Sequence, residues 1–152
     1  MAEELTYEQQ RKLAVDLFNH VWTLLERADR TPEQDDEMIN ATHASCHHWA
    51  EVGTTASIAR GEWQISRVYS VLERAEPALY HAGRCLAYCE TNHDELEDWD
   101  LPFAYEALAR AHAVAGNPTE SKRFAALAAE LGERIEDEED RELLARDLAT
   151  LP

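Results

Sequence analysis

Apolar residues recur at alternating gaps of three and four along nearly the whole chain. This is the rhythm of an α-helix, which brings such positions onto one face. It is clearest at Ile58, Gly61, Ile65, Val68 and Leu72, and it returns at Ala104, Leu108, Ala111 and Ala115. Strong strand signals are absent, and only 5 Gly and 5 Pro punctuate the chain. The pattern predicts an all-α protein with seven helices, at about 5–29, 33–52, 55–74, 76–91, 100–115, 118–135 and 138–150.

The boundaries follow from local chemistry. Thr31-Pro32-Glu33 places an N-cap, a proline at the first helical position and an acidic first turn in register. Gly53 is expected to end the second helix in the left-handed conformation that glycine takes without strain, with Thr54 or Thr55 capping the third. Gly116-Asn117-Pro118 repeats the same stop and start. Many stripe positions are small, which lets neighbouring helices approach closely, as tightly stacked hairpins require.

Two stretches of the chain align without a gap. Tyr69, Ala78, Leu79, Ala82 and Cys85 fall on His112, Ser121, Lys122, Ala125 and Ala128, an offset of 43 residues. The series Leu108-Ala109, His112, Gly116, Ser121, Ala125 and Ala128 resembles the tetratricopeptide repeat, with small residues where helices cross and a glycine between them. The match covers two hairpins well and the first loosely. It departs from the family in its length, since the usual period is about 34 residues. His112 replaces the customary aromatic residue, Glu73 stands in for the glycine between helices three and four, and the surplus lies in the acidic connection Thr91–Asp100.

The resemblance implies one domain over residues 1–152, a short right-handed solenoid. It would contain about three antiparallel hairpins, near 5–52, 55–91 and 100–135. The last helix carries Leu143, Leu144, Leu148 and Leu151 among charges, as does the capping helix that ends such a stack. The resemblance also implies a concave groove lined by the first helix of each hairpin. Its positions map onto Arg60, Trp63, Arg67 and Ser70 of helix three and Phe103, Glu106 and Arg110 of helix five. Helical spacing independently puts Arg60, Trp63 and Arg67 on one face, and likewise Phe103, Glu106 and Arg110. Such a surface suits a peptide bearing a carboxylate, which arginine grips bidentately. The competing reading is an internal ion network, in which Glu106 bridges Arg110 and Arg67.

Charge narrows the partners. With 14 Lys and Arg against 31 Asp and Glu, the formal net charge is -17, which repels phosphate backbones and anionic headgroups. Nucleic acid and membrane are therefore not expected as partners. Three cysteines and no export signal predict a reduced, cytoplasmic protein. Trp22, Trp49, Trp63 and Trp99 suggest either a buried aromatic core or a homodimer interface.

Other constellations allow a metal. His43 and His47 lie four apart on one helical face, where two imidazoles can reach one divalent transition metal, with Glu62 or Glu106 as a further ligand. This frames the alternative function, a small metal-binding helical protein or metalloenzyme. His81, Cys85, Cys89 and His93 follow at steps of four but span about 18 Å, too far to surround one ion. The two cysteines there read as core residues. The serines lack a nucleophile elbow and no phosphate loop is present, so catalysis is not the expected role.

Overall fold

Threonine opens each of the first three helices in the computed structural model, which describes residues 3–152. Helix α1 (Tyr7–Leu25) and helix α2 (Pro32–Val52) each begin with a capping box, Thr6 with Gln9 and Thr31 with Gln34. In each box the threonine hydroxyl and the glutamine carbonyl accept one otherwise unpaired amide apiece. Helix α3 (Thr55–Val71) starts after Thr54, whose hydroxyl accepts from the Ser57 amide at 3.2 Å. Helices α4 (Ala75–Thr91), α5 (Asp100–Val114), α6 (Pro118–Gly132) and α7 (Glu138–Ala149) follow, with a short 3-10 turn at His93–Glu95. The described residues thus form seven α-helices and no strand.

Helices pair in order: α1 packs on α2, α3 on α4 and α5 on α6, the arrangement of successive helical hairpins. Helix α3 also lies against α5 and touches α1, so the first helices of the three pairs meet. Val21, Leu24, Met38 and Val68 knit α1, α2 and α3, while Ala78, Ala82, Ala107 and Ala111 join α4 to α5. Small side chains set these distances. A Cβ on Gly61 would sit 2.9 Å from Cys46 Sγ, so the α2–α3 crossing depends on the missing methyl.

The α3–α4 and α5–α6 turns are built alike. Glu73 and Arg74 amides donate to Ser70 and Tyr69 carbonyls at 3.1 and 2.9 Å, and Gly116 and Asn117 amides donate to Ala113 and His112 carbonyls at 3.1 and 2.9 Å. Both are Schellman closures, which need a left-handed residue after the helix. Gly116 supplies it at φ 76, and Glu73 does so at φ 59. A further pair of bonds links equivalent positions with donor and acceptor exchanged. Ser66 Oγ donates to the Ala78 carbonyl, and Ser121 Oγ to the Ala109 carbonyl, both at 2.8 Å.

A side chain in the left-handed region costs about 1–2 kcal/mol, partly offset because glycine loses more entropy on folding. Glu73→Gly is therefore expected to raise stability by about 0.5–1 kcal/mol. Thermal unfolding of the two proteins checks this, and an unchanged or lower midpoint would show that the Glu73 side chain compensates for its strain.

Three boundary expectations need correction. Gly53 is not left-handed: its φ is -88 and ψ 171, an extended conformation. Glycine is required there for space, since a Cβ would meet the Trp49 carbonyl oxygen at 2.7 Å and Ser57 Cβ at 2.9 Å. Helix α1 stops at Leu25 rather than residue 29 because Arg30 folds back, its guanidinium donating to the carbonyls of Leu24, Leu25 and Arg27. Helix α6 stops at Gly132 rather than residue 135. Ile135 turns into the core instead, beside Phe103 and Leu144.

Candidate functional site

The three arginines and two aromatic residues expected on one surface do converge between α3 and α5, but they serve two different ends. At one end Glu106 is fully buried and accepts from Arg110 Nε at 2.8 Å and Arg67 Nη2 at 3.2 Å. Helix α7 completes this network. Arg67 also donates to the Asp147 carboxylate at 2.9 Å, while Arg110 donates to the Asp147 carbonyl at 2.9 Å and the Thr150 hydroxyl at 2.7 Å. A buried carboxylate needs such compensation, because desolvation of an unpaired charge costs several kcal/mol. Arg67 and Arg110 are thus engaged within the chain.

The rest of the surface is open. Trp63 and Phe103 meet edge to face with centroids 6.1 Å apart, and Trp22 of α1 tilts against Trp63 at 5.6 Å. Together with Phe18 and Trp99 they line a cleft of about 320 Å³. Cys85 and Cys89 of α4 and Ala59 of α3 also line it, and α7 contributes Asp140 and Leu143. Leu143 is exposed, whereas Leu144 is buried in the hydrophobic seat of α7. The α7 stripe is accordingly split, with one leucine in the core and one on the cleft. The buried Trp63 Nε1 has no hydrogen-bond partner among the described residues, nor does Ser70 Oγ.

Arg60 forms the polar wall. Its Nε and Nη2 donate to the two Asp100 oxygens at 3.0 and 2.8 Å, a bidentate pair, and its guanidinium lies 4.4 Å from the Trp99 ring centre. The hydrogen bond to Asp100 raises the Arg60 pKa above its ordinary value. Asp100 is held in turn by the Glu97 amide at 2.8 Å. Two other carboxylates of the acidic connection also hold the fold: Glu95 accepts from the Thr55 amide, and Asp98 from the Glu136 amide just before α7.

Sequence reasoning placed Arg60, Trp63, Arg67, Phe103, Glu106 and Arg110 on a shared surface, and the structure brings them together. It missed Trp99 and Asp100, one turn before Phe103, and Phe18 and Trp22, four apart on α1. Extending the α5 stripe back by a turn signals the first pair. The i, i+4 aromatic spacing signals the second.

The histidines proposed for a metal are arranged differently. His43 Nε2 is hydrogen-bonded to Tyr69 Oη at 2.8 Å, and its ring lies 5.4 Å from that of His81, which pairs with Glu62. Burial, followed by the neighbouring His81, lowers the His43 pKa, partly opposed by Glu62. His47 is exposed and lies beside His48. Among the described residues no group of three or more His, Cys, Asp or Glu is placed to hold a metal ion. All three cysteines are free and buried. Burial pushes the Cys46 thiol up to about 12. A hydrogen bond between the cleft thiols raises the pKa of Cys85 and lowers that of Cys89.

No helix among the described residues is long and apolar enough to cross a membrane. No protein-family model, no curated protein and no solved structure matches the chain.

Proposed function

We propose that this protein is an interaction module whose cleft receives a side chain from a segment of a partner protein. The carrying observation is the open, aromatic-walled cleft of about 320 Å³ between α1, α3, α5 and α7. Clefts of this size and composition hold one large side chain and exclude water around it, the setting in which tryptophan contacts dominate binding energy. The rings of Trp22, Trp63, Trp99 and Phe103 supply the apolar contact for the bound side chain. Arg67, Glu106 and Arg110 act in this reading as the brace that fixes α7 along the cleft, and Arg60 as part of its wall.

The proposal includes the architecture. The three hairpins form a tetratricopeptide-like right-handed solenoid, with α1, α3 and α5 on the inner side and α7 as end cap. The matching Schellman turns and the exchanged serine–carbonyl bonds support this, because they tie equivalent positions of two successive hairpins.

Trp99 sits half-buried on the connection, so its removal should disturb the ligand more than the core. On a peptide array, Trp99→Ala is expected to weaken bound spots by about ten-fold or more, as a tryptophan hot spot does. Trp99 also packs against the cluster of Phe103, Ile135 and Leu144, so some loss of stability is expected as well. A cooperative thermal transition above the assay temperature establishes that the variant is folded when the array is read. Undiminished binding by Trp99→Ala and by Trp63→Ala would show that the cleft is not the site.

A further inference from the structure

The cleft has a sign as well as a shape. Every guanidinium near it is neutralised within the chain: Arg60 by Asp100, and Arg67 and Arg110 by Glu106 with Asp147. Asp140 is the exception among the charged groups of the lining. It is half-buried in the first turn of α7, and its carboxylate has no hydrogen bond or ion pair among the described residues. Its amide donates to Asp137, which leaves the side chain unused. The lining thus carries one uncompensated negative charge, on a chain whose formal net charge is -17.

Aromatic faces add to that preference. The ring quadrupole attracts cations, and this chain uses it twice here: Arg60 lies over Trp99 at 4.4 Å and Arg67 over Trp63 at 5.2 Å. Trp22, which tilts against Trp63, has no such cation among the described residues. A carboxylate ligand would find no free guanidinium, an unpaired Asp140 and a repulsive long-range field. An alkylammonium or alkylguanidinium would find apolar walls for its stem and a carboxylate for its head, the division by which Lys and Arg bury their methylenes.

We infer that the side chain received by the cleft is cationic, a lysine or arginine on a basic segment of the partner, with its stem against Trp22, Trp63 and Phe103 and its charge at Asp140. The inference rests on the cleft being a binding site. It reverses the sign expected from counting the arginines along the sequence.

Three probes of five carbons each separate the possibilities: n-pentylammonium, 1-pentanol and pentanoate. Each is titrated into the full chain at low salt while the four tryptophan indole N–H signals are followed by NMR. Trp22, Trp63 and Trp99 report on the cleft, and Trp49, which does not line it, is the internal control. Pentylammonium should shift the cleft signals at about ten-fold lower concentration than pentanoate. Asp140→Asn should reduce that ratio by about five-fold, the scale of one partly screened charge pair, and added salt should compress it similarly. Pentanol or pentanoate binding as tightly as pentylammonium would overturn the cationic assignment while leaving the cleft as a site. If no probe moved the cleft signals selectively over Trp49, the cleft itself would fail, and the assignment with it.

Discussion

Replacing Glu106 with alanine is expected to cost about 3–5 kcal/mol of stability, the range for removing one partner of a buried charge group. Glu106 is fully buried, and Arg67 and Arg110 both depend on it. Without it, two guanidiniums are left with only the α7 contacts at Asp147 and Thr150. Desolvated positive charge then repels across α3 and α5, and α7 loses the frame that receives its C-terminal end. Urea unfolding measures the effect, with an unchanged slope confirming that native compactness is kept. A loss below about 1 kcal/mol would mean that the network resembles a screened surface pair. Replacing Arg67, Glu106 and Arg110 together with apolar residues of similar volume should cost much less, because no unpaired charge remains.

Two glycines in helices should respond in opposite directions. Gly61→Val is expected to destabilise by about 1–3 kcal/mol through overpacking. Its Cβ would meet Cys46 Sγ at 2.9 Å and Cys46 Cβ at 3.2 Å, so α2 and α3 must separate. Gly83→Ala is expected to stabilise by about 1 kcal/mol, the helix-propensity gain alone, because a Cβ there has nothing within 4 Å. Thermal or urea unfolding of the pair tests the packing model directly. Loss at Gly83, or tolerance at Gly61, would show that the helix crossings lie elsewhere.

Those glycines also mark how far one-dimensional reading reached. Gly61 belonged to an apolar stripe made of small residues, and close approach of helices was expected from it. Its partner Cys46 was not foreseeable, because the contact joins two separate helices. Gly53 was read as a left-handed stop, whereas it is extended and simply too crowded for a side chain. Sequence gives only residue type, and glycine serves both purposes. Glu73 went the other way. Alignment with Gly116 flagged the position, and the structure shows a left-handed residue there despite its side chain.

The functional surface divides along the same line. Arg60, Trp63 and Arg67, like Phe103, Glu106 and Arg110, share helix faces by spacing alone, so their grouping was legible. Their charge state was not, since Asp100 and Asp147 reach them from distant positions in the chain. Asp140 and Leu143 read as parts of the last helix, and only the structure shows that they also line the cleft.

The amino-acid sequence alone determined the seven helices, their threonine, proline and glycine punctuation, and which side chains share a face, because helical periodicity and capping act within a few residues. Tertiary structure alone decided which arginines are already satisfied, where α7 rests and what remains open between α1, α3 and α5. Those outcomes depend on contacts between residues far apart in the chain, and no local pattern encodes which carboxylate will reach which guanidinium.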